Sequence, residues 1–180
     1  MHSSNLYIKA REIAVLFERA LDGVKNVDFY CYGHTTSNDV SEATKINVYY
    51  EGRKVSNRRI LGNIHYDNTN RDGHAILEVI GRMRQKVDIK TPIIMFMISD
   101  GQPSANVPKP SSGVTYTKAA VDYVEKNTNS QIIHIAIKPG IPSEKMFNTH
   151  LQFTNPTKLV QDIGGLLKTI MLKQQRAVVL

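Results

Sequence analysis

The sequence holds one cysteine, Cys31, so an internal disulfide and a cysteine-based zinc site are both excluded. It has no apolar run of membrane-spanning length, and its first residues lack the apolar block of a secretory signal. The expectation is a cytoplasmic protein with no membrane partner. Also missing are a Walker A glycine loop, a dinucleotide glycine fingerprint, a His-Glu-x-x-His helix and a Gly-x-Ser-x-Gly elbow. An enzyme of familiar mechanism is therefore disfavoured. Cys31 lies within the apolar and aromatic run Val27 to Tyr32, which suits a buried small hydrophobe better than a reactive thiol.

What is present is enough for one core. With 180 residues, 41% of them hydrophobic, residues 1–180 read as a single domain without repeats or low-complexity segments. The net charge is +7, with Arg53, Lys54, Arg58 and Arg59 clustered and Arg71, Arg82, Arg84, Lys86 and Lys90 following. Such a balance would help association with an acidic protein surface or a nucleic-acid backbone and identifies neither; no nucleic-acid motif accompanies it, so nucleic-acid binding is disfavoured.

The chain is organised around Thr91 to Gly101. Ile93 to Ile98 carry no polar side chain and are too few for a free-standing helix, which predicts a strand buried on both faces at the centre of a parallel sheet. Ligands of open α/β sheets sit beyond the carboxyl ends of such strands, where Ser99, Asp100 and Gly101 stand. The same three residue types also favour an ordinary turn.

Leu6, Ala10, Ile13, Ala14, Phe17 and Leu21 recur at helical spacing, with Ser3 or Ser4 suited to cap the helix and Gly23 to end it. Val27 to Tyr32 reads as a strand, then a polar stretch runs from Gly33 to Asp39. Lys45 to Tyr50 reads as an edge strand paired with it, its Ile46, Val48 and Tyr50 set against Asn47 and Tyr49. Residues 51–71 are polar and predict loops with a short helical turn near Arg59 to Leu61. From Asp72 a helix follows on Ala75, Ile76, Val79, Ile80 and Met83.

After Gly101 comes a loop rich in proline, serine and glycine, Gln102 to Gly113, expected to be mobile and to set partner specificity. Tyr116, Ala119, Ala120, Tyr123 and Val124 mark the next helix. Gln131 to Lys138 reads as a second buried strand, with His134 as a satisfied core histidine. A short strand is expected at Leu151 to Phe153, and Asn155-Pro156 as cap and first residue of a last helix burying Leu159, Val160, Ile163, Leu166, Leu167, Ile170 and Met171. Helices alternating with buried strands predict a mainly parallel sheet, covered on both faces, with an antiparallel edge hairpin.

The candidate site is a set of hard oxygen donors: Asp100, Ser99 and Asp72, the last in the loop opening the helix that precedes the central strand. If that helix starts at the edge where the strand ends, the carboxylates approach one another, and magnesium suits such oxygens. By spacing alone, Asp72 reads more readily as a helix cap.

Three segments resemble the von Willebrand factor A-type domains, and among them the domain of the aerobic cobaltochelatase T-subunit. They are Tyr32-Gly33-His34-Thr35-Thr36, Asn70-Arg71-Asp72-Gly73-His74-Ala75-Ile76, and Ile94 to Pro103 with its Ser99-Asp100-Gly101-x-Pro103 ending. The resemblance implies a Rossmann-like three-layer fold and a magnesium ion in a metal-ion-dependent adhesion site that grips a partner's acidic side chain. By it, Asp100 matches the acidic residue of the third metal loop, and Asp72 the position of a frequent threonine. The family's first strand and its Asp-x-Ser-x-Ser loop are missing, so the chain reads as N-terminally truncated relative to the family. Asp39-x-Ser41 imitates that loop after the wrong strand, with Ala43 in place of its last serine. The loss predicts a gap between the strands at Val27 and Ile93, which the apolar tail Ala177-Val178-Val179-Leu180 is a candidate to fill.

The function implied is a protein-interaction module with an incomplete magnesium site, acting as an adaptor to a ring-shaped ATPase of the chelatase type. The alternatives are a metal-dependent hydrolase or nuclease using Asp72 and Asp100, and a structural domain whose metal site has decayed.

Overall fold

The computed structural model describes residues 5–22, 24–36, 43–52, 58–64, 70–103, 113–140 and 142–177. In chain order these form α1 (Leu6–Leu21), β1 (Tyr30–Thr35), β2 (Lys45–Glu51), a 3-10 helix (Arg58–Asn63) and α2 (Asp72–Lys86). There follow β3 (Ile93–Ser99), α3 (Gly113–Asn127), β4 (Ser130–Ala136), a short 3-10 helix (Ser143–Lys145), β5 (Thr149–Gln152) and α4 (Pro156–Ala177). The fold is mixed α/β: β1 and β2 pair antiparallel, and β3, β4 and β5 form a parallel sheet in that order. No helix among the described residues is long and apolar enough to cross a membrane.

The core has two parts because strand side chains alternate between faces. Ile135 of β4, with Ile137 just beyond it, meets Ala10, Ile13 and Phe17 of α1 and Leu159 and Ile163 of α4, with Phe96 and Ile98 of β3 against them. Ile132 and Met97 point the other way, onto Ile76 and Ile80 of α2 and Val121 and Val124 of α3. Thus α1 and α4 cover one face of the parallel sheet, and α2 and α3 the other.

Local chemistry explains most boundaries. Asn155 caps α4, its Oδ1 accepting the Lys158 N–H at 2.9 Å, with Pro156 as the first helical residue. All five expected apolar positions of α2 are buried. Asn5 starts α1 without a side-chain cap bond; Ser3, Ser4 and Gly23 lie outside the described residues. So do Arg53, Lys54, Asp39, Ser41, residues 104–112 and 178–180, and the side chains of Arg58, Arg59 and Met171.

Several expectations are corrected. The first strand spans Tyr30–Thr35, not Val27 to Tyr32, and pairs through Gly33, His34 and Thr35. Those polar side chains made the stretch read as loop, but a backbone ladder does not depend on side-chain polarity. In β2 the register shifts opposite Cys31 and Tyr32, alternation breaks, and Val48 is left 49% exposed.

The central strand of the parallel sheet is β4, not β3. Every residue of β4 except Gln131 is buried, whereas in β3 only Met97 and Ser99 are. An apolar run reports the wish to be covered, and among the described residues β3 has a hydrogen-bonded neighbour on one side only.

The inward stripe of α3 is Thr117, Ala120, Val121 and Val124; Tyr123 is 61% exposed and Ala119 is exposed too. Tyr116 is drawn aside to stack on His74, ring centroids 4.5 Å apart. In α4, Val160 likewise turns outward.

Cys31 is half-buried on β1, and loss of hydration pushes its thiol up to about 12. Almost no thiolate exists near neutral pH, so a disulfide labelling reagent should react with the folded chain far more slowly than with the urea-unfolded chain. Equal rates would mean that the thiol is not desolvated.

Candidate functional site

Of the residues singled out by sequence, Ser99 and Asp72 meet at the carboxyl edge of the parallel sheet, with Asp100 next to Ser99 in the chain. Ser99 ends β3, Asp100 follows it, and Gly101 takes a left-handed φ of 66°, which a glycine adopts without strain. That turn brings the Gly101 N–H back onto Ser99 Oγ at 3.0 Å, while the Gln102 N–H donates to Asp100 Oδ1 at 3.3 Å. From the other segment, Asp72 opens α2. Ser99 Oγ lies 3.4 Å from Asp72 Oδ2. The three residues are 4%, 6% and 0% exposed for Ser99, Asp100 and Asp72.

Asp72 does not cap its helix. Arg71 holds the N-cap position, no side-chain cap bond forms, and Asp72 sits inside the first turn, where a carboxylate also favours the helix dipole. Its Oδ1 instead accepts from Asn70 Nδ2 at 2.8 Å and from His34 Nε2 at 3.1 Å. A buried carboxylate is costly unless several donors satisfy it, and here three elements supply them.

Close helix packing sets this geometry. A Cβ on Gly73 would fall 2.5 Å from Tyr116 Cδ1 and 3.2 Å from Thr117 Cα. Only glycine after Asp72 lets α3 approach the start of α2, so the Asp72-Gly73 pair is fixed by packing as much as by chemistry.

Behind Ser99 the polar chain continues into the core. Ser99 Oγ and His134 Nε2 are 3.0 Å apart, and His134 Nδ1 and Ser143 Oγ are also 3.0 Å apart. A hydroxyl has one proton and two acceptor sites. With the Gly101 N–H and His134 Nε2–H donating to it, Ser99 donates to Asp72, and the Ser143 hydroxyl donates to Nδ1. This assignment satisfies every member of the chain and keeps His134 neutral. Burial lowers the His134 pKa to about 4, outweighing the opposing pull of Asp72. His134 is thus the satisfied core histidine expected from sequence.

His34, Asn70 and Ser143 were not singled out by the oxygen-donor argument. His34 and Asn70 lay inside the segments carrying the family resemblance, which was their available signal. Ser143 stands in a stretch that showed only a chain break. His74, beside the site, has its pKa lowered by burial and then by Arg71.

Compared with known proteins, the chain matches no family model and no curated protein sequence.

Carboxylates are hard donors that magnesium takes, commonly one or two of them with retained waters, whereas the Ser99 hydroxyl already accepts two hydrogen bonds and gives its proton to Asp72, which leaves it no lone pair for a metal. Among the described residues no group of three or more histidine, cysteine, aspartate or glutamate side chains is arranged to hold a metal. The donor chemistry therefore fits a partly hydrated magnesium ion on Asp72 and Asp100 rather than an all-protein cage. Among the described residues, Asp72 Oδ2 carries only the long Ser99 contact, whereas Oδ1 is held by His34 and Asn70.

Proposed function

We propose that the chain is a protein-interaction module of the von Willebrand factor A type, with a Rossmann-like sheet and a magnesium-dependent adhesion site at the edge formed by Asp72, Ser99 and Asp100. The observation that carries this reading is the meeting of Ser99 Oγ with Asp72 Oδ2 at 3.4 Å, with Asp72 buried and free of any capping duty. A bound magnesium ion would supply a Lewis-acidic position for a partner's carboxylate. Asp72 and Asp100 would hold it, His34 and Asn70 orient the Asp72 carboxylate, and Ser99 ties both to the core through His134. The resemblance narrows the role to an adaptor beside a ring-shaped ATPase, with catalysis belonging to the partner.

The test is thermal unfolding with and without magnesium, beside the Asp100→Ala variant. A ligand present at one hundred times its dissociation constant stabilises the native state by about 2.7 kcal/mol. A magnesium-dependent rise in midpoint that the variant loses is the expected result. No response in either protein would overturn the metal-dependent reading.

A further inference from the structure

The polar chain behind the site ends on one buried hydroxyl. Ser143 is 3% exposed and opens the short 3-10 helix between β4 and β5. Its carbonyl accepts the N–H groups of Met146 and Phe147, at 3.0 and 2.8 Å, which pins the residue at the turn. Its side chain has a single partner among the described residues, His134 Nδ1 at 3.0 Å. Phe147, just past the same 3-10 helix, lies nearly flat on the His134 ring, its plane 15° from parallel. One short segment thus sets both the plane of the imidazole and the partner of its Nδ1.

The direction of every hydrogen bond from there to Asp72 follows by elimination. A buried hydroxyl that only accepts strands its own proton, which costs more than a hydrogen bond returns. Among the described residues Ser143 has no other acceptor, so it donates to Nδ1. A neutral imidazole accepts at one nitrogen and donates at the other, so Nε2 carries the ring proton. Ser99 Oγ then receives two donors, the Nε2–H and the Gly101 N–H, each at 3.0 Å, and both its acceptor sites are filled. Its own proton goes to Asp72 Oδ2, 3.4 Å away. In the other tautomer Ser99 would donate to Nε2 and turn a lone pair toward the carboxylate. Oδ2 would lose that donor, while His34 and Asn70 would still hold Oδ1.

We propose that Ser143 is a positioning residue for the Asp72 carboxylate: by donating to Nδ1 it selects the His134 tautomer that aims the Ser99 hydroxyl at Oδ2, and so orients the carboxylate for a divalent cation. The inference rests on the magnesium reading above and adds to it a control point separated from Asp72 by two side chains. At 3.4 Å the Ser99 bond is long for a hydroxyl on a carboxylate, so its direction is decided by its neighbours more than by its own strength. The ring is neutral in both arrangements: one proton leaves Nε2 and one returns on Nδ1 by exchange with water, and the protein gains none. Removing an outer partner of a metal-binding group commonly weakens the metal about 10–100-fold. With so long a last bond, the lower end of that range applies.

The experiment is nitrogen NMR of the histidine rings in the whole chain at neutral pH, with magnesium then titrated into each sample. The proteins are the native chain, Ser143→Ala and Ser143→Thr, and the His134 signals are assigned by their loss in His134→Gln. The expected result is the Nε2–H tautomer alone in the native chain. In Ser143→Ala the Nδ1–H form should appear beside it, and magnesium should bind about tenfold more weakly. Ser143→Thr, which keeps the hydroxyl, should restore both readouts. A native ring protonated at Nδ1 overturns the proposal whether or not either variant folds. So does a ring that stays wholly Nε2–H in Ser143→Ala, or a threonine variant as impaired as the alanine one, which would make packing and not the hydroxyl the cause. Magnesium binding that is present in the native chain and equal in Ser143→Ala overturns the positioning role and leaves the adhesion site standing. Absence of magnesium binding to the native chain overturns both.

Discussion

Phe147→Ala is expected to lower the free energy of unfolding by about 3–5 kcal/mol, a large part of the roughly 5–15 kcal/mol that holds a domain of this size together. Phe147 is almost wholly buried and lies between a 3-10 turn and β5, where it closes the cluster of Ile76, Ile80, Met97, Val121, Val124, Ile132 and Met146. Its ring also lies on the imidazole of His134, centroids 4.4 Å apart and planes 15° from parallel. Truncation would remove the transfer energy of the ring and leave a cavity bordered by strands and two helices that cannot all collapse into it. Urea unfolding should show a lower midpoint with an unchanged slope. Phe147→Leu, which retains most of the volume, should cost less than half as much. A loss below about 1 kcal/mol for the alanine variant would place the ring outside the load-sharing core.

Helical periodicity carried the sequence reading furthest. Ala75, Ile76, Val79, Ile80 and Met83 are all buried on α2, and Asn155 with Pro156 opens α4 as capping chemistry requires. A helix face is set by spacing within one segment, so the segment alone reveals it. Neighbour relations are not local in that sense. Ile93 to Ile98 and Gln131 to Lys138 read alike, yet among the described residues β4 has two hydrogen-bonded neighbours and β3 one, which the side chains of neither strand encode. The Tyr116 stripe failed for a related reason: a tertiary partner, the His74 ring, drew that tyrosine out of the inward set and left Thr117 in its place. Phe147 was hidden because two apolar residues in a Pro, Ser and Glu-containing stretch have no period to betray them.

At the site, Asp72, Ser99 and Asp100 were legible because small polar residues after an apolar run mark the edge where an α/β sheet gathers ligands. Their second layer was not. His34 looked like loop, and its contact with Asp72 spans 38 positions of sequence. The cap reading of Asp72 failed on geometry alone, since Arg71 occupies the cap and the carboxylate is turned toward β1 and β3.

Acidification gives the second large effect. Burial holds the folded-state pKa of His134 at about 4, below its ordinary value of 6.5, despite the opposing charges of Asp72 and Asp100 and with His150 adding in the same direction as burial. As pH falls, the unfolded chain therefore binds a proton before the folded chain does. The stability contributed by the neutral imidazole is fully present above 6.5 and is lost between 6.5 and about 4. The slope is about 1.4 kcal/mol per pH unit, so the whole interval is worth roughly 3 kcal/mol. Urea midpoints measured from about pH 7 down to about pH 4.5 should fall accordingly. In His134→Gln, whose amide can still donate toward Ser99 and accept from Ser143, that part of the decline should vanish. His74, lowered in the same sense, and the lowered carboxyls of Glu51 and Asp122 remain in both proteins and cancel in the difference. Phe147→Ala should reduce the decline as well, because water admitted beside the ring relieves the desolvation that causes it. Parallel curves for the native chain and His134→Gln would show that the imidazole is hydrated in the folded state, and that the chain from Asp72 through Ser99 to Ser143 is not the closed network described.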